Sequence, residues 1–319
     1  MMPDSAFVTS VFVAALALGM SILLVLVRQR RCYTRTAHPP FPLGRLPGGE
    51  PWEGGLSGGG VLVRALRRTE LTQPFFGREE LDAEAIFLLS PKAHLSPTRC
   101  ALAMVSHISR CGSTLLCRML DARADAITYR EPPIVTELTL RAVRLRARKE
   151  GRAVGLVRAA LEAFLAHADS LHMKLAVVKL PSVCCSTVAL EILSAAAPAS
   201  TLRVHLTRPP VDVLDSHARS STRLSTSGDE DDESRSPLEI LEERHAAAAS
   251  WASVSLPFDE VTSPLCDLGA LSELFGLPPP TSRQAAAMRA EQAFDAKTGE
   301  IRAEPGAPSL ANLLSEPRE

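Results

Sequence analysis

A parallel sheet covered by helices on both faces is the architecture this sequence predicts, and three observations predict it. Short, nearly all-apolar runs at 101–108, 175–180 and 202–207 read as strands buried on both sides. Each is followed by a segment with helical spacing of its apolar residues, the alternation expected of an α/β fold. The composition agrees: 46% of residues are hydrophobic but only 4% are aromatic. Abundant Ala and Leu favour helices over an all-β sandwich.

The chain opens on an apolar run. Phe7 to Val27 carries no charged side chain, and Arg28, Arg30 and Arg31 follow it. At ~1.5 Å per residue this run covers about 30 Å, the thickness of a bilayer core. A cleaved signal peptide would begin with basic residues, whereas Asp4 is the one charged side chain ahead of the run. Residues 1–31 are therefore expected to form a transmembrane anchor. Pro and Gly crowd 38–60, so 32–97 reads as a stem and lead-in, with the folded domain beginning somewhere in 61–100.

The domain itself is expected over 98–303. After the strand at 101–108, residues 113–120 read as a helix with Leu115, Leu116 and Met119 on one face. Helical segments follow at 134–147 and 153–170, then the strand at 175–180, stopped by Pro181. A helix at 184–196, the strand at 202–207, and helices at 211–220 and 238–253 complete the pattern. Residues 225–236 are acidic and serine-rich, which predicts a solvated loop. The polar tail, 304–319, adds nothing to a core.

Charge and cysteines narrow the function. A net charge of -1 gives no electrostatic case for nucleic acid as a partner. The seven cysteines are odd in number and none stands in a CxxC or Cys/His spacing. They suggest neither a small disulfide framework nor a zinc site, and read as small apolar residues. No metal is expected.

Two segments carry chemistry. The first is the turn Ser109, Arg110, Cys111, Gly112, Ser113, Thr114 between a strand and a helix. Anions bind where backbone N–H groups converge at a helix N-terminus. Gly112 permits close approach and a positive φ. Ser113 and Thr114 offer hydroxyls, and Arg110 offers a forked cation. This is not a Walker A loop: position 107 is not glycine and no Lys follows Gly112. The second segment runs from Thr207 to Ser216, leaving a strand and opening a helix. Arg208 stands at the strand end and Ser216 about two helical turns on.

Together these segments resemble the sulfotransferases that use 3′-phosphoadenosine 5′-phosphosulfate. The run Arg110, Cys111, Gly112, Ser113, Thr114, Leu115, Leu116 matches that family's 5′-phosphosulfate loop. The Arg is similar to that of membrane-anchored, carbohydrate-directed members. Arg208 and Ser216, with Pro209 and Val213 between them, match the 3′-phosphate segment. Residues 256–277 resemble a stretch of the family's C-terminal half and would be structural here. The resemblance implies a P-loop NTPase-like three-layer α/β/α fold and a phosphosulfate co-substrate. It also implies a hydroxyl acceptor, with a glycan as one candidate, and a Golgi-lumenal domain. The basic flank of the anchor points the other way, to the cytosol.

Catalysis of that transfer needs a proton acceptor and a cation on the bridging oxygen. The family's Glu-Pro element is matched by Glu131 and Pro132, so Glu131 is the expected base, extended because a proline follows it. A loop carboxylate paired with Arg130 or Arg118 is its structural alternative. Lys179 is placed to bind the sulfate or the leaving group. His107 and His205 read as buried histidines. The sequence departs from the family in having no His after Lys179. It also lacks a clear basic C-terminal lid: Arg283, Arg289 and Lys297 are loose matches. A catalytically inactive relative and a nucleotide-dependent kinase stay open as alternatives.

Overall fold

The computed structural model describes residues 61–64, 86–89, 98–219 and 235–293. The expected anchor, most of the stem, the acidic loop up to residue 234 and the tail lie outside them. Among the described residues no helix is long and apolar enough to cross a membrane.

In chain order the elements are β1 (Val61–Arg64), β2 (Ile86–Leu89), β3 (Ala101–His107), α1 (Ser113–Asp121), β4 (Ala126–Arg130) and α2 (Pro133–Ser170). There follow β5 (Leu175–Lys179), α3 (Thr187–Ala196), β6 (Leu202–Thr207), α4 (Pro210–Arg219) and α5 (Pro237–Trp251). The last are β7 (Val254–Pro257), α6 (Phe258–Thr262), α7 (Leu268–Leu274) and α8 (Ser282–Ala293). β1 and β2 pair antiparallel, so the lead-in already holds two strands. The main sheet has the order β4-β5-β3-β6-β7, and each neighbouring pair is parallel.

Alternation along the strands explains the layers. Leu102 and Met104 of β3, with Ala176 and Val178 of β5, join one core with Leu138, Phe164 and Leu193. Ala103, Val105, Leu175 and Val177 point the other way, to a second core with Leu116, Leu120, Val213 and Leu271. Two apolar faces per strand are what made these runs nearly continuous in sequence.

Three expectations need correction. The helices at 134–147 and 153–170 are one helix, α2, running from Pro133 to Ser170. The interval between them, 148–152, contains Gly151, but a lone glycine costs only about 1 kcal/mol, and its Arg, Lys, Glu and Ala neighbours are good helix formers. The helix expected from 184 begins at Thr187, because the Ser186 side chain accepts from the Ala189 N–H as its N-cap, after a 3-10 turn over Ser182–Cys184. Glu131 is not extended: its φ is 54°. Its N–H donates to the Lys179 carbonyl at 2.8 Å, continuing the β4–β5 ladder, and this pairing outweighs the preference set by Pro132.

Candidate active site

Four strand ends frame one side of the sheet. His107 closes β3, Arg130 closes β4, Lys179 closes β5 and Thr207 closes β6. Open parallel sheets hold ligands beyond these carboxyl ends, where neighbouring connections part. After β3 the chain turns toward β4 and β5, and after β6 it turns to β7, so the parting falls between β3 and β6. Both expected anion-binding segments leave the sheet at that place.

The first segment has an unusual backbone. Ser109, Arg110 and Gly112 have φ of 85°, 50° and 76°. Left-handed residues in close succession curl the chain so that its N–H groups face one concavity. Gly112 is the N-cap of α1 and no side chain caps that end, so the first amides of the helix stay open to a ligand. A Cβ at Gly112 would stand 3.3 Å from a ring carbon of Phe258, which explains the glycine twice over. Ser113 is buried, and Arg110 and Thr114 are half-buried beside it. Cys111 is buried, its Sγ 2.8 Å from the Ser109 carbonyl oxygen.

The second segment meets the first. Arg208 Nη1 donates to the Arg110 carbonyl at 2.7 Å, and its guanidinium lies 4.4 Å from the ring centroid of Phe258. Ser216 is half-buried in the second turn of α4. The sequence had given the stretch around Phe258 a structural role only. Its place against both Gly112 and Arg208 had no local signal, since 258 is distant from either in sequence.

Lys179 and Glu131 are brought together. Lys179, only 2% exposed, sets its Nζ 2.7 Å from Glu131 Oε1 and 3.1 Å from Thr114 Oγ1. One cation therefore touches both the anion loop and the carboxylate. His107 Nε2 faces the same Oε1 at 3.6 Å. Burial by itself would raise the Glu131 carboxyl, but His107 and Lys179 outweigh it and hold the acid well below the usual carboxylate range. Glu131 is thus a carboxylate at any ordinary pH. It does not pair with the two arginines considered for it: Arg130 bonds Asp121, and Arg118 bonds Glu291.

The remaining expectations sort simply. His205 is fully buried, with Nδ1 3.1 Å from Ser106 Oγ and Nε2 3.1 Å from His245 Nδ1. Burial, with His245 beside it, lowers its pKa to about 4, so it is a neutral core histidine. His107 is also buried, yet it reaches the site, which its sequence context alone did not show. Arg289 is spent on the protein, donating to the Cys266 carbonyl and to Gln292. The six described cysteines are buried and none is in a disulfide. Burial pushes Cys117 and Cys185 up to about 11, far from nucleophilic thiolates.

No family model matches this chain, and no curated protein does. Solved structures similar to it include the sulfotransferase domain of the olefin synthase of Synechococcus PCC 7002. That likeness has 15% identity and a TM-score of 0.42, over 70% of this chain and 85% of the other. The sulfotransferase domain from the curacin biosynthetic pathway shows 15% identity and a TM-score of 0.41, over 64% and 81%. A sulfotransferase from Mycobacterium tuberculosis H37Rv shows 17% identity and a TM-score of 0.34, over 59% and 70%.

Proposed function

We propose that this chain binds 3′-phosphoadenosine 5′-phosphosulfate in the crevice beyond β3 and β6 and transfers its sulfuryl group to a hydroxyl acceptor. The observation that carries this reading is Lys179, held between Thr114 of the anion loop and Glu131. The group fits the residues present: a loop with three left-handed residues and an uncapped helix end suits the 5′-phosphosulfate. Arg208 and Ser216 suit the 3′-phosphate, as the matched spacing implies.

When bound, the phosphosulfate supplies an activated sulfur and a phosphate leaving group. The loop amides and Lys179 stabilise negative charge on the oxygen that departs. Glu131 Oε1 is engaged by Lys179 and faced by His107, which leaves Oε2 to accept the acceptor's proton. Its proton affinity is low while Lys179 is paired with it. An anion that draws Lys179 toward the loop returns basicity to Glu131 at the moment it is needed. The acceptor class, with a glycan as one candidate, and a membrane anchor over 7–27 belong to this same proposal. Protease protection of the domain in intact microsomes tests the lumenal orientation, and digestion there favours the cytosol.

The test is calorimetry with adenosine 3′,5′-bisphosphate on the unmodified chain and on Arg208→Ala. Losing a charge-assisted contact is expected to weaken binding by about 1.5–3 kcal/mol. Equal affinity of the two proteins removes the 3′-phosphate assignment. A non-catalytic nucleotide-binding relative is the second reading, favoured by the commitment of Arg289 to Cys266 and Gln292 rather than to a lid. Release of adenosine 3′,5′-bisphosphate from the phosphosulfate nucleotide, with a panel of hydroxyl acceptors, separates the two.

A further inference from the structure

Ser109 is the most constrained residue of the anion loop. It holds a φ of 85° although it is not glycine, a conformation that side chains disfavour. Every polar group it has is tied. Its N–H donates to His107 Nδ1 at 3.0 Å. Its hydroxyl lies 3.0 Å from His217 Nε2. Its carbonyl takes the Cys111 thiol at 2.8 Å. His107 and His217 are 5% and 9% exposed, so both bonds are shielded from water.

We propose that His107 and His217 are positioning residues that clamp Ser109 from opposite sides, building the anion loop before any ligand arrives and tying it to Glu131. The inference rests on the nucleotide reading above for what the loop is built to hold. The clamp spans three parts of the fold. His107 ends β3, Ser109 opens the loop, and His217 lies on α4 next to Ser216. The two anion segments are therefore locked at Ser109 as well as through Arg208. Because Nδ1 of His107 accepts from an amide, the ring's proton sits on Nε2, the nitrogen that faces Glu131 Oε1 at 3.6 Å. One imidazole thus sets the loop with one nitrogen and orients the carboxylate with the other. A preformed loop spares a ligand the ordering cost that a flexible one imposes.

The two histidines use different nitrogens toward Ser109, and this gives a crossed test. An Asn amide overlays Nδ1 and a Gln amide overlays Nε2. The full chain in detergent is measured as His107→Asn, His107→Gln, His217→Asn and His217→Gln. Hydrogen exchange of the 108–113 amides is read without ligand, and affinity is read with adenosine 3′,5′-bisphosphate. His107→Asn and His217→Gln are expected to keep slow exchange and near-native affinity. His107→Gln and His217→Asn are expected to speed exchange in 108–113 and weaken the nucleotide by about tenfold, the worth of one hydrogen bond. Exchange elsewhere in the sheet stays slow. Identical behaviour of Asn and Gln at each position, or unchanged exchange in all four, overturns the clamp. If the unmodified chain does not bind the nucleotide, the functional reading falls, while the exchange pattern still decides the clamp. Should one variant unfold, the pair at the other histidine carries the same contrast.

Discussion

Arg130 and Glu131 are neighbours in sequence, and each belongs to a half-buried ion pair, the two differing in character. Arg130 is paired with Asp121, whose two oxygens are both occupied. Oδ1 accepts the Thr128 N–H at 2.7 Å, and Oδ2 accepts the Thr128 hydroxyl at 2.6 Å as well as Arg130 Nη2. Glu131 is paired with Lys179 through Oε1, which His107 also faces. Among the described residues no donor meets its Oε2. With three bonds on its two oxygens, the Asp121 carboxylate ties β4 to α1. The Glu131 pair opens at the strand ends, where ligands gather. Engagement of the second oxygen separates the two pairs, where burial and charge alone do not.

The largest expected effect lies on the open pair. Glu131→Gln keeps the shape but removes the proton acceptor, and turnover per folded molecule should fall by roughly 10²–10⁴. Affinity for adenosine 3′,5′-bisphosphate should barely change. Initial rates of its release from the phosphosulfate nucleotide, corrected for the folded fraction, check this. Undiminished turnover would take Glu131 out of the mechanism and erase the contrast with Asp121.

The Asp121 pair should respond in stability. Asp121→Asn leaves the Arg130 guanidinium, 6% exposed, buried without its counter-charge. The expected cost is about 3 kcal/mol in denaturant unfolding. Turnover per folded molecule should match that of the unmodified chain. A loss of turnover larger than the loss of folded protein would show that the Asp121 pair also serves the site.

The sheet was legible because its strands are apolar on both faces, and Ala101–His107, Leu175–Lys179 and Leu202–Thr207 follow the expected runs closely. The turn at Gly112 was legible for a local reason too: a glycine at a strand–helix junction tolerates the positive φ found there. Lys179 and Glu131 could each be singled out, but their pairing could not. It depends on β5 entering the sheet between β4 and β3, and on Glu131 taking a left-handed φ that Pro132 argues against. His107 and His217 were harder still. An isolated histidine in a buried segment says nothing of which nitrogen it uses, or toward what. Only the approach of α4 to the loop, 108 residues apart in sequence, makes His217 a partner of Ser109.

The smallest expected effect tests the comparison by acid. The two carboxyls are shifted in opposite directions. Burial pushes the Asp121 carboxyl up, and Arg130 and Thr128 offset only part of that. Glu131 is held down, as its neighbours outweigh burial. A depressed acid contributes stability that is present above its unfolded value, 4.5 for Glu131, and lost as pH falls toward the folded one. A raised acid does the reverse: the native state takes up its proton first, so acidification below the raised value relieves the cost of burying its charge. Unfolding free energies measured from pH 6 down to about 2.5 should therefore diverge between variants. Glu131→Gln, lacking the depressed group, should lose less stability on acidification than the unmodified chain. Asp121→Asn, lacking the raised group, should lose more. Parallel curves for all three proteins would mean that the carboxylates share one environment, and the distinction between the two pairs would have no thermodynamic content.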